Sequence, residues 1–76
     1  MKQLLEHIAR ALVDHPDQVE VRQINGERSI LLELKVAPED MGKVIGKQGR
    51  IAKSIRTVIS AAAMGANKRV MVEIVQ

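Results

Sequence analysis

The sequence predicts a two-layer α+β domain with the element order α-β-β-α-α-β. Apolar residues recur with a helical period in the segments 3–14 and 49–64, and they alternate with polar residues in three shorter segments. A chain of 76 residues is long enough for one such domain, spanning residues 1–76, and too short for two. The helices are then expected to cover one face of a three-stranded sheet.

The N-terminal half is predicted to form a helix and then a hairpin. The helix covers about 3–14, where one stripe is apolar: Leu5, Ile8, Ala9, Leu12 and Val13. Pro16 ends it, because proline disfavours helical backbone at the preceding residue. The hairpin runs from about Val19 to Val36, and Asn25-Gly26 predicts a type I′ turn, in which both central residues need positive φ.

The C-terminal half is predicted to form two helices and a last strand. Ala37-Pro38-Glu39-Asp40 indicates a helix start, since proline suits the first turn and carboxylates complement the helix dipole. This short helix reaches about Ile45. A long helix covers about 49–64, with these residues expected to face inward: Ile51, Ile55, Val58, Ile59 and Ala62. The last strand runs from Val70 to Val75.

Charge is divided unevenly along the chain. Residues 1–40 carry five Lys/Arg and eight Asp/Glu, which gives −3. Residues 41–76 carry seven Lys/Arg and one Asp/Glu, which gives +6 and accounts for the net charge of +3. A basic half of this kind suggests an anionic partner.

The composition excludes several classes of protein. No cysteine is present, so disulfides and thiolate metal sites are excluded and a reducing compartment fits. The N-terminal apolar residues are interrupted by charges, and no apolar run is long enough for a membrane span, so we expect a cytoplasmic protein. No Phe, Tyr or Trp is present, which excludes modules that stack bases on aromatic rings.

The segment 44–51, Val-Ile-Gly-Lys-Gln-Gly-Arg-Ile, is the strongest functional signal. Its two glycines let the backbone turn sharply and approach a ligand closely. The helix that follows directs unpaired N–H groups and a positive dipole end at the same place, which suits a phosphate. Basic residues before, within and after the loop extend this site as a strip: Lys43, Lys47, Arg50, Lys53 and Arg56.

Other chemistry is poorly supported. A nucleotide-binding P-loop needs four residues between its glycines and a hydroxyl after the lysine, whereas Gly42 to Gly46 encloses three and Gln48 stands at the hydroxyl position. The two histidines lack partners at metal spacing, and no serine or threonine has a base or nucleophile elbow beside it. We therefore expect no enzyme, no metal site and no cofactor.

Segment 44–51, set between two predicted helices, resembles the signature of the KH domain. The whole order α-β-β-α-α-β resembles the type II KH fold, a mixed three-stranded sheet covered by three helices. The sequence is most similar to the small bacterial single-KH proteins of the KhpA (YlqC-like) family. This resemblance implies single-stranded RNA binding, of the RNA chaperone or post-transcriptional regulator type, with about four nucleotides clamped by each KH module.

The resemblance also implies a binding site and partners. Gly46, Lys47, Gln48 and Gly49 would grip the RNA backbone, and Ile45 and Ile51 would line an aliphatic groove beside them. With the basic strip, the predicted RNA-binding residues are Lys43, Ile45, Gly46, Lys47, Gln48, Gly49, Arg50, Ile51 and Lys53. Leu34 and Val36 are expected to help floor the groove.

The family further implies a homodimer, or a heterodimer with a larger KH-containing RNA-binding protein, and no membrane. An alternative from another functional class stays open. The chain could be a dimerisation or assembly module whose KH surface docks a protein partner and binds little RNA itself.

Overall fold

The computed structural model describes residues 1–75 and contains the predicted order of elements. The helices are α1 (Lys2–Leu12), α2 (Met41–Ile45) and α3 (Arg50–Ala62), and the strands are β1 (Glu20–Asn25), β2 (Ser29–Lys35) and β3 (Arg69–Val75). β1 pairs antiparallel with β2, and β2 pairs parallel with β3, so the sheet is mixed with the order β1-β2-β3. The predicted α+β class and type II order are confirmed. Within the described residues, no helix has the length and apolar character needed to cross a membrane.

The core lies between the helices and one face of the sheet. Along β2, Leu32 and Leu34 are fully buried, while the next residue, Lys35, is exposed, as the alternation predicts. The helices contribute fully buried residues to the same cluster, among them Leu5, Val44 and Ile59. Each such side chain stabilises the fold by about 1.5–3 kcal/mol when it leaves water. This packing fixes α2 and α3 against the sheet, and therefore fixes the loop that joins them.

The inward face of α3 is narrower than predicted. Ala52, Ile55 and Ile59 are buried, at helical spacings of three and four residues. The expectation that Val58 and Ala62 face inward is wrong: Val58 is 46% exposed and Ala62 is exposed. Val58 directly precedes Ile59, so it is rotated by about 100° from the buried stripe. It faces α1 at the surface instead.

The hairpin turn also differs from the prediction. Neither Asn25 nor Gly26 has a positive φ, so the turn is not of type I′. Asn25 still pairs with Ile30, and the Gly26 N–H donates to the Ser29 carbonyl at 2.7 Å. The connection is thus longer than two residues, with residues 26–28 between the two strands.

Asp40 has a structural role that the sequence did not indicate. It is only 1% exposed, and its two carboxylate oxygens accept hydrogen bonds from the backbone N–H groups of Asp14 and His15, at 3.2 and 3.0 Å. Glu39, by contrast, is exposed and lies 3.6 Å from the His15 ring nitrogen. Asp40 therefore ties the segment after α1 to the start of α2, beyond the dipole role predicted for it.

Candidate nucleic-acid interface

The loop Gly46–Gly49 joins α2 to α3 through three residues with positive φ. Gly46 has φ 75° and ψ 174°, Gln48 has φ 58° and ψ 26°, and Gly49 has φ 73° and ψ 15°. Only glycine adopts the Gly46 conformation readily, and left-handed backbone costs a residue with a side chain about 1–2 kcal/mol. The chain thus turns between the two helices within four residues, with the Lys47 and Gln48 side chains exposed.

The two glycines serve different purposes. A Cβ on Gly46 would lie 2.5 Å from Cγ1 of Ile51 and 2.9 Å from its Cβ, so this glycine allows the loop to pack on α3. A Cβ on Gly49 would meet no atom within 4 Å. The missing side chain at Gly49 therefore leaves backbone open toward solvent, where a ligand can approach closely.

The main-chain amides of the loop are only partly available. The Gly46 N–H donates to the Gly42 carbonyl at 2.9 Å, and the Gly49 N–H donates to the Gly46 carbonyl at 3.1 Å. The amides of both glycines are therefore occupied by carbonyls of the protein itself. In the described chain, the amides of Lys47 and Gln48 have no backbone acceptor. These two donors remain for a phosphate, together with the Lys47 ammonium and the N-terminus of α3.

Arg50 lies beside the loop at the first turn of α3. Its guanidinium donates to the Gln48 side-chain oxygen at 3.2 Å. Both side chains are exposed. The hydrogen bond holds a second positive charge near Lys47 and orients Gln48 away from the core.

Lys43 points away from the loop, toward the end of α1. Its ammonium is hydrogen-bonded to the Asp14 carboxylate and lies 3.9 Å from Asp40. The hydrogen bond to Asp14 raises the pKa of Lys43, and the same bond lowers the pKa of Asp14. The charge of Lys43 is therefore already balanced in the free protein.

Ile45 precedes the loop in the sequence, and Ile51 follows it. Both Ile45 and Ile51 are half-buried and pack against the core. Ile51 also lines an apolar groove of about 460 Å³ between α1 and α3, here called the α1–α3 groove. Its apolar lining comprises Leu4, Ile8, Leu12, Ile51, Ile55 and Val58. Leu34 and Val36, expected to floor the binding groove, are buried in the core at 0% and 4% exposure.

A second groove lies between α3 and the edge strand β3, and it is basic. This α3–β3 groove has a volume of about 500 Å³ and is lined by Arg56, Ser60, Ala63 and residues 68–72. Arg56 belongs to the predicted basic strip, and Lys53 lies one turn before it on the same exposed side of α3. Lys68 and Arg69 were not predicted as site residues. The signal that could have found them is the run without acidic residues from Met41 to Val72.

Comparison with known proteins identifies the family. A family model described as KhpA/KhpB, KH domain, matches residues 2–74. The RNA-binding protein KhpA of Clostridium acetobutylicum is 75% identical over 75 residues, which cover 99% of this chain and 100% of the relative. The RNA-binding protein KhpA of Clostridium perfringens is 67% identical over the same shares of both chains. The RNA-binding protein KhpA of Aquifex aeolicus is 46% identical over 100% of this chain and 96% of the relative.

No solved structure matches the chain. The family model matches a range that spans the glycine loop, and these relatives match nearly the whole sequence. The predicted resemblance is confirmed: the chain belongs to the KhpA/KhpB family of KH-domain proteins.

Proposed function

We propose that this chain binds single-stranded RNA, gripping the RNA backbone at the loop Gly46–Gly49 and placing bases along α3. The role is that of an RNA chaperone or post-transcriptional regulator, without a catalytic step. Relatives that cover the whole chain are named RNA-binding proteins, which supports the nature of the ligand.

One observation carries the proposal. At the loop, the amides of Lys47 and Gln48, the Lys47 ammonium and the open backbone of Gly49 are all close to the N-terminus of a 13-residue helix. Backbone donors, a point charge and a helix dipole together favour a phosphate. The glycine without a side chain lets that phosphate come close.

The predicted site residues contribute unequally to the proposed interface. Gly46, Lys47, Gln48 and Gly49 form the grip, and Arg50 and Lys53 continue the positive charge along α3. Ile45 and Ile51 support the loop from behind. Lys43 contributes least, because Asp14 and Asp40 compete with RNA for its ammonium.

The interface should bind RNA weakly and respond strongly to salt. A chain without aromatic residues cannot stack bases on aromatic rings, an interaction that contributes about 1–3 kcal/mol per base elsewhere. If about three to five phosphates are neutralised, the logarithm of the binding constant should fall with the logarithm of salt concentration with a slope of roughly −2 to −4.

Fluorescence anisotropy with a labelled single-stranded RNA tests the proposal. The double variant Lys47→Asp with Gln48→Asp should abolish binding, because it repels phosphate and both side chains are exposed. The chain offers a matched control in Lys2→Asp with Gln3→Asp, the same exposed dipeptide at the start of α1. This control changes the net charge by the same amount and should bind the RNA more tightly than the loop variant does. Equal loss in both variants would refute the loop as the site.

The α1–α3 groove favours a second candidate function, assembly with a second copy of this chain. Leu12 and Val58 are 38% and 46% exposed and line the same groove, so they form part of one apolar surface that a second copy would cover. Two copies would hold two loops on one RNA and raise avidity through effective concentration.

Sedimentation of the purified chain tests this second function. A dimer that dissociates in Val58→Glu would support it. A monomer that forms a complex only with a larger KH protein would assign the groove to that partner instead.

A further inference from the structure

Arg56 is held in the α3–β3 groove by the edge of the sheet. Its Nε–H donates to the Val72 carbonyl at 3.1 Å, in a part-buried hydrogen bond between α3 and β3. β3 is an edge strand, and both Arg56 and Val72 line the groove, so the hydrogen bond lies at the groove wall. The hydrogen bond restrains the guanidinium at this wall.

The remaining donors of Arg56 are free to meet a ligand. One hydrogen bond through Nε leaves the N–H groups of both terminal nitrogens, which project as a planar fork. Arg56 forms no salt bridge with any carboxylate of residues 1–75. Other groove residues, Lys68 and Arg69, bring further positive charge and no acidic side chain. A ligand in this groove therefore meets a fork of donors that is complementary to two neighbouring acceptors.

The position of Arg56 suits a base better than a phosphate. It lies six residues after Arg50, which is about 9 Å along the axis of α3 from the residue that follows the glycine loop. If the loop grips the backbone, as in the proposed function on which this inference rests, the bases extend from there into the groove. The groove walls near Arg56 include the apolar residues Ala63, Val70 and Met71, against which the flat face of a base can lie.

We propose that Arg56 selects bases that present two adjacent hydrogen-bond acceptors. Guanine offers O6 and N7, and cytosine offers N3 and O2 on the edge that single-stranded RNA leaves open. Adenine and uracil alternate donors and acceptors and cannot satisfy the fork with two bonds. The α3–β3 groove, although it has no aromatic side chain, thus prefers guanine or cytosine at one nucleotide position.

The test uses the full chain and oligouridine of eight residues with one central substitution, measured by fluorescence anisotropy. Oligonucleotides with guanosine or cytidine at that position should bind about fivefold or more tightly than those with adenosine or uridine, the lower end of what a bidentate pair provides. Replacing guanosine by 7-deazaguanosine removes one acceptor and should abolish the guanosine advantage. This arm separates base recognition from phosphate contact, because the backbone is unchanged.

Two conservative variants complete the experiment. Arg56→Lys keeps the charge but loses the fork, so it should bind all four oligonucleotides with equal affinity. Arg22→Lys, an exposed arginine on β1 at the opposite edge of the sheet, should keep the wild-type preference. Retained discrimination in Arg56→Lys, or equal binding of all four oligonucleotides by the wild-type chain, would overturn the inference while leaving RNA binding intact. Absence of binding to every oligonucleotide would instead refute the proposed function itself.

Discussion

Alanine at the two loop glycines should have very different effects on stability, although both glycines have φ near 75°. At Gly46, the backbone conformation alone costs a residue with a Cβ about 1–3 kcal/mol. The new Cβ would also lie 2.5–2.9 Å from three atoms of Ile51, one of them its Cβ, which cannot rotate away. Such overpacking adds about 1–3 kcal/mol. The total loss is therefore about 2–6 kcal/mol.

At Gly49 only the conformational cost applies. The added Cβ meets no atom within 4 Å, so Gly49→Ala should lose only about 1–2 kcal/mol. A domain of 76 residues has a total stability of about 4–11 kcal/mol, so this variant should stay folded, whereas Gly46→Ala loses much of the available stability. Gly49→Ala should nevertheless weaken RNA binding, because its Cβ stands where the proposed interface needs an open backbone.

Urea denaturation followed by far-ultraviolet circular dichroism is the suitable assay, since the chain has no Trp or Tyr for intrinsic fluorescence. The free energies of unfolding of the two alanine variants should differ by at least about 1 kcal/mol, the contribution assigned to Ile51. A difference below about 0.5 kcal/mol would show that the loop relaxes away from Ile51 and would refute the reasoning.

Three further predictions concern the residues around the loop. Asp40→Ala removes the acceptor of two backbone amides and should lower the free energy of unfolding by about 1–3 kcal/mol. Glu39→Ala, at the exposed neighbour, should change the free energy of unfolding by less than about 0.5 kcal/mol. Equal effects of the two variants in urea titrations would contradict the role assigned to Asp40. Gln48→Gly relieves left-handed backbone strain and should raise stability by about 0.5–1 kcal/mol, so a lower melting temperature would argue against that strain. Because its bond to Lys43 lowers the pKa of Asp14, the pair should stabilise the fold at neutral pH and stop doing so as the pH falls through that lowered value, below 3.8. The same bond raises the pKa of Lys43, so this stabilisation should also be lost as the pH rises through that raised value, above 10.5. The stability difference between wild type and Asp14→Asn should shrink outside these limits, and a difference independent of pH would contradict the pairing.

The sequence determined the features that depend on local pattern. The alternation in β2 predicted the buried face of the strand, and the stripe in α1 predicted the buried Leu5 and Ala9, because burial follows the periods of strand and helix. Leu12, at the end of the same stripe, is exposed instead. The loop was identified for a similar reason: its two glycines bound a four-residue segment between two helical patterns, and both glycines adopt positive φ. Element order, fold class and family all followed from such neighbouring residues.

Tertiary structure decided which groups meet across long stretches of chain. Asp40 reaches backbone amides 25 and 26 residues earlier, and Lys43 finds Asp14 across 29 residues. Arg56 meets the Val72 carbonyl only because α3 packs beside the edge strand. No periodic pattern encodes these pairs, since each depends on the relative placement of two elements. For the same reason the sequence could suggest a phosphate-binding loop but could not tell that two of its four amides bond to the protein's own carbonyls.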